Sequence, residues 1–151
     1  MDIKFMELAL ELAKKARDFD EVPVGAVIIK DGEVIASAFN TRETSGNAVN
    51  HAEIIAIGQA CAKVGGWRLV GCDLYVTLEP CAMCTGAIIN SRIDNVYFGA
   101  YDGKAGCCGT VYDLINDGKF NHKPNVTGGI MEKECSEILS SYFKTKREKK
   151  C

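Results

Sequence analysis

No stretch of this chain is apolar for long, no segment repeats, and neither sign of charge dominates. Lys plus Arg number 18 and Asp plus Glu 20, giving a formal net charge of −2 and a sequence pI near 5.7. That excludes a chain that grips nucleic acid through bulk positive charge. Gly and Pro together number only 18, beside 47% hydrophobic and 25% charged residues, a balance foreign to disordered, collagen-like and coiled-coil chains. The first 19 residues hold four acidic side chains, Asp2, Glu7, Glu11 and Asp18, and no apolar run, so neither a secretory leader nor a membrane span is expected. A reducing cytoplasm is then the expected location, where the eight cysteines stay free and a matched pair signals metal binding or catalysis. Histidine is scarce as well: only His51 and His122 are available as an imidazole ligand or base.

The 151 residues that are present suit one domain spanning 1–151, since about 150 residues is the usual size and such a chain buries roughly 68–70% of its unfolded surface. Ile3, Met6, Leu10 and Ala13, widened by Phe5, Ala9, Leu12 and Ala16, predict an opening amphipathic helix with Lys14, Lys15 and Arg17 near its end. Residues 22–29 and 34–39 read as strands joined by Asp31-Gly32, a dipeptide suited to a tight hairpin turn. A loop is expected over 40–50, a buried helix from 51 to about 62, and Gly65-Gly66 as its stop. Strand 74–78, helix 82 to about 91 behind Pro80, and strand 95–99 follow. A Gly-rich loop spans 101–109, a short helical turn 111–115, and a closing helix starts near 131 with Ile138, Leu139, Tyr142 and Phe143 as its stripe. Alternation of strands and helices implies a three-layer α/β/α sandwich around a central mixed, mostly parallel sheet of about five strands.

His51-Ala52-Glu53 lies thirty positions ahead of Cys81 in Pro80-Cys81-Ala82-Met83-Cys84. With Pro80 opening a helix, Cys81 and Cys84 fall three apart on one face of its first turn, where free N–H groups and the dipole favour thiolates. His51, at the start of another helix, supplies a third ligand, and three ligands leave tetrahedral Zn²⁺ an open position for water. Residues two apart do not share a helix face, so Glu53 is expected as a proton-transferring carboxylate beside the metal rather than a ligand. The combination H-x-E…P-C-x-x-C matches the signature of zinc nucleobase deaminases. A redox pair would need no His-x-Glu upstream, and a closed structural zinc site would have to recruit Cys107 or Cys108, whose adjacency suits one tetrahedral site poorly. Cys61, Cys72, Cys135 and Cys151 read as packing or surface thiols.

With Val22-Pro23-Val24-Gly25-Ala26-Val27, Asn40, Trp67-Arg68-Leu69, the run from Leu74 to Cys84, Ser91-Arg92-Ile93, Phe98-Gly99-Ala100 and Asn121-His122, the chain resembles the bacterial tRNA-specific adenosine deaminases almost end to end. Those enzymes convert adenosine at the anticodon wobble position to inosine. The resemblance implies a cytidine deaminase-like fold, zinc on His51, Cys81 and Cys84, a proton shuttle at Glu53, and a homodimer. It also implies that Asn40 hydrogen-bonds the flipped base, and that Asp102, Lys104, Asn121, His122, Phe143 and Arg147 touch a tRNA anticodon loop. From the residues alone, Asn40 also reads as a turn residue, the loop charges as solvated and Phe143 as core. Lys144, Lys146, Arg147, Lys149 and Lys150 beside Tyr142 and Phe143 form a basic, aromatic stripe that suits splayed RNA bases, or a solvated chain end. Two other functions stay open: a deaminase of a free base or nucleotide such as cytosine, guanine or deoxycytidylate, and a silent zinc-containing RNA-binding subunit, against which Glu53 argues.

Overall fold

The computed structural model describes residues 1–149; Lys150 of the basic stripe and the Cys151 thiol lie outside the described residues. Chain order is α1 (Ile3–Asp18), β1 (Gly25–Lys30), β2 (Glu33–Phe39), α2 (Arg42–Ser45), α3 (Ala52–Val64), β3 (Cys72–Leu78), α4 (Ala82–Ser91), β4 (Asn95–Ala100), β5 (Asn125–Thr127) and α5 (Glu132–Lys149). The apolar stripe of α1 buries Phe5, Met6, Ala9, Leu10, Ala13 and Ala16, and Asp2 caps its start by accepting the Lys4 amide. At the hairpin, Asp31 and Gly32 take φ of 52° and 77°, the paired left-handed residues of a type I′ turn, and they hold Lys30 opposite Glu33.

Five strands form one sheet in the order β2-β1-β3-β4-β5. β1 and β3 are buried along almost their whole length while β2 alternates, as central and edge strands do. α1 and α5 pack together on one face and α3 and α4 on the other, which gives the expected three layers. Against α1 the approach is so close that a Cβ on Gly25 would lie 2.0 Å from the Ala9 carbonyl oxygen.

Pairing divides evenly rather than being mostly parallel: β1 is antiparallel to both β2 and β3, and β3–β4 and β4–β5 are parallel. The cause is the helix crossover through α3, which carries the chain from β2 into a strand of the same direction, with the slot between the two already filled by β1. The polar 40–50 loop contains the four-residue α2, and the three-residue β5 was not foreseen. Residues 111–115 are not a helical turn: Val111 and Tyr112 are exposed, and an isolated bridge joins Cys108 to Asp113. The carboxyl ends of β2 and β3 and the amino end of β1 share one edge of the sheet, where α3 and α4 both begin.

Candidate active site

His51 and Cys81 are the residues just before α3 and α4, both with extended backbone, and neither side chain caps its own helix. Their ligand atoms are therefore free to meet, together with Cys84 one turn into α4. Nδ1 of His51 lies 3.7 Å from Sγ of Cys81 and 3.6 Å from Sγ of Cys84, and all three ligand atoms lie within 4.8 Å of one another. Zinc–sulfur bonds of about 2.3 Å and zinc–nitrogen bonds of about 2.0 Å at tetrahedral angles require an S···N separation of about 3.5 Å. The donor set fits zinc. Among the described residues no other His, Cys, Asp or Glu group meets the same test. Cys107 and Cys108 stay outside it, with Cys107 Sγ against the Ala105 carbonyl and Cys108 Sγ 3.5 Å from Thr85 Oγ1.

The electrostatics suit a cation. A hydrogen bond from the Cys84 thiol pulls the Cys81 thiol down to about 4, with His51 assisting against the effect of burial. The same bond, together with burial, drives Cys84 upward, so the pair retains a proton that a metal ion displaces. His51 is raised chiefly by its hydrogen bond to Cys81. Glu53 sits in the first turn of α3 and is only 4% exposed. Burial raises its carboxyl to about 7; the Cys81 charge adds to this, while its own amide, His51 and Cys84 oppose it. A carboxyl poised near neutrality can both take and return a proton.

A pocket of about 150 Å³ opens over this floor. It is small beside the roughly 300–1,000 Å³ of drug-sized sites, and admits one flat ring system rather than a whole nucleotide. Val22, Val24, Asn40 and Arg42 form one rim, and Leu78, Glu79, Asp102 and Ala105 the other. Thus His51, Glu53, Cys81, Asn40 and Asp102 converge, with Cys84 buried beneath them. Asn40 is 7% exposed and engaged at both ends, donating to the Val22 carbonyl and accepting from the Arg42 amide, so it is a turn residue and a pocket residue at once. Asp102 accepts the Lys104 and Ala105 amides.

Other expected contacts lie farther out. A shallow groove shares Val22 and Arg42 with the pocket and runs to Phe19, Thr44, Tyr142, Phe143 and Lys146. Phe143 is 43% exposed there and not core. Lys104, Asn121 and Arg147 are exposed and line neither pocket nor groove. His122 is half-buried, with Nε2 2.6 Å from the Ile93 carbonyl oxygen. Arg42, Glu79 and Glu21 were missed by sequence reasoning. Glu79 adjoins Pro80-Cys81, a positional signal; nothing local marks the other two.

Fold and site together define a zinc-dependent deaminase. Residues 1–100 match the cytidine and deoxycytidylate deaminase zinc-binding region, and the chain belongs to that family. Over 149 residues, 99% of this chain and 92% of the relative, it is 48% identical to the tRNA-specific adenosine deaminase of Bacillus subtilis (strain 168). Its structure matches a chain from a study of A-to-I editing by tRNA:A34 deaminases at the wobble position of transfer RNA, with a TM-score of 0.89 and 45% identity, covering 91% of this chain and 100% of that one. The likeness to the guanine deaminase of Bacillus subtilis is narrower, with a TM-score of 0.62 and 40% identity over 65% of this chain and 63% of the other.

Proposed function

We propose that the chain, acting as a single domain, is a hydrolytic tRNA adenosine deaminase that converts adenosine to inosine at the wobble position of an anticodon. The observation that carries this reading is the extent of the likeness: 48% identity continues through 99% of the chain, α5 and its groove included. Free-base deamination is the second reading, favoured by the match to the guanine deaminase of Bacillus subtilis, which is narrower than that to the tRNA deaminases.

His51, Cys81 and Cys84 would hold zinc. Bound there with an open position, zinc makes water acidic enough to be a nucleophile near neutral pH. Glu53 is placed to take a proton from the attacking water on a carboxylate oxygen and to hand it to N1 of the adenine ring. The water oxygen bonds to C6, the remaining proton of the new hydroxyl passes through Glu53 to N6, and the C6–N6 bond breaks as ammonia leaves, so adenosine and water give inosine and ammonia. Asn40 and Asp102 orient the base, and the narrow pocket excludes bulk water from it.

A base must be unstacked to enter, which is cheap in an anticodon loop and costly in a duplex. Phe143 and Arg147, with Lys104, Asn121 and His122, would meet the flanking nucleotides; His122 can do so only through Nδ1 while its Nε2 serves Ile93. A homodimer that shares the RNA surface and a cytoplasmic location complete the proposal. Among the described residues no helix is long and apolar enough to cross a membrane.

The test is inosine formation on an unmodified tRNA whose anticodon begins with adenosine, run beside free adenosine, cytosine and guanine at equal enzyme. Inosine at the wobble position with inert free compounds is expected. Turnover of a free compound alone would replace the tRNA reading, and no turnover by zinc-loaded protein would leave a silent RNA-binding subunit.

A further inference from the structure

Two carboxylates at the pocket edge of the sheet are buried without a cation. Glu21, 0% exposed, precedes the segment leading into β1; Glu79, 2% exposed, follows β3. Because β1 and β3 are antiparallel neighbours, the two side chains stand on the same edge, one beneath each rim. Among the described residues neither makes a salt bridge. Loop donors satisfy them instead. Glu21 Oε1 accepts the Glu43 amide at 3.0 Å, and Oε2 accepts both the amide and the hydroxyl of Thr44. Glu79 Oε1 accepts the Asp102 amide at 3.1 Å and the Thr110 hydroxyl, and Oε2 accepts the Cys108 and Thr110 amides at 3.0 and 3.2 Å. The loop presses onto Glu79 so closely that a Cβ on Gly106 would lie 2.5 Å from its Cδ.

We propose that Glu79 and Glu21 are positioning residues for the deamination, two buried anionic hubs that each fold one rim loop, 102–110 and 41–46, over the pocket. The proposal rests on the tRNA reading only for its substrate. Glu79 lines the pocket but is only 2% exposed, and every oxygen of both groups already accepts from an amide, so each carboxylate acts through its loop. An amide side chain cannot replace them, because one of its ends would set N–H against N–H. The loops carry different things. Loop 102–110 brings Asp102 and Ala105 against the base, whereas loop 41–46 carries Arg42, common to pocket and groove. Glu79 therefore governs the chemical step, and Glu21 the capture of RNA.

The test uses full-length, zinc-loaded protein carrying E79Q or E21Q, with Thr110→Val and Thr44→Val as milder variants that each remove one hydroxyl donor, in case a glutamine variant fails to fold. Amide hydrogen exchange and steady-state kinetics on an A34 tRNA are read together. A misplacement of about 1 Å costs on the order of 10²-fold. E79Q is expected to lower kcat by about that factor, keep its zinc, and speed exchange at Asp102, Cys108 and Thr110 only. E21Q is expected to raise KM and to speed exchange at Glu43 and Thr44 only. The threonine variants should show the same split, weaker. Folded variants with kcat and KM within twofold of wild type, or exchange that rises across the whole chain, would overturn the proposal. Should wild-type protein turn over only a free base, the tRNA reading fails, while the local exchange and the kcat on that base still decide the role of Glu79.

Discussion

At the floor of the pocket, the three ligand residues occupy the first positions of two helices, placed by elements that local sequence builds. The rim, by contrast, hangs on loops whose amides bond to carboxylates 22 to 31 positions away. The floor is held by the packing of α3 on the sheet and on α4, and the rim by hydrogen bonds to two buried carboxylates. The contrast assigns metal binding and proton transfer to the floor, and the orientation of the base and the capture of RNA to the rim.

Removing the metal separates the two regions most sharply. Cys84→Ala, or exhaustive chelation, should abolish turnover and zinc content together while leaving RNA affinity largely intact, because the groove is lined by Phe19, Thr44, Tyr142, Phe143 and Lys146 and by none of the three ligand residues. Metal analysis, activity and RNA titration on one preparation decide it; RNA binding lost in parallel with zinc would join floor and rim into one unit. Glu53→Gln should come next, with a loss of about 10²–10⁴-fold in kcat at unchanged zinc content, the range for a positioned general acid and base. A loss confined to KM would remove Glu53 from proton transfer and make it a binding group.

Phe143→Ala acts on the rim alone. A stacked base is worth about 1–3 kcal/mol, so KM for tRNA should rise about tenfold or more with kcat and zinc unchanged. The exposed ring of Phe143 stands 5.4 Å, edge-on, from Tyr142, and it leaves little core to lose. Unchanged KM would return α5 to a packing role and place RNA recognition elsewhere on the rim.

How far each region could be read from sequence follows the same division. The hairpin was legible because Asp31-Gly32 encodes its own turn, and α4 because Pro80 marks its start two residues before an apolar run. His51, Glu53, Cys81 and Cys84 were legible because ligand spacing and helix starts are both local. Antiparallel pairing of β1 with β3 was hidden, since it depends on which slot the α3 crossover leaves empty. β5 offers one apolar residue, Val126, too little for a periodicity. Val111, Leu114 and Ile115 carry helical spacing, yet the Glu79 hydrogen bonds to Cys108 and Thr110 and the Cys108–Asp113 bridge hold that chain in another shape. Glu21 and Glu79 look like ordinary surface acids in sequence, because burial of a carboxylate is decided by loops that arrive from far along the chain.

The smallest expected effect is also the one that tests how the rim is held. Burial alone would raise the Glu21 carboxyl, but the Thr44 hydroxyl and the Thr44 and Glu43 amides outweigh it and hold the group below its ordinary value of 4.5. A group depressed in the folded state stabilises it at every pH above its unfolded value and loses that contribution as pH falls through its folded one. Wild type and E21Q should therefore differ by about 1 kcal/mol or more near neutrality, the scale of hydrogen bonds to a charged group, and converge as the pH falls below 4.5 and through the lower folded value of Glu21, where the group takes up its proton. Zinc release in acid destabilises both proteins alike and cancels in the difference between them. Urea midpoints for the two proteins from pH 7 down to pH 3 provide the measurement. A difference that stays constant across that range would mean the loop is held by shape rather than by the charge of Glu21, and the rim would then resemble the floor after all.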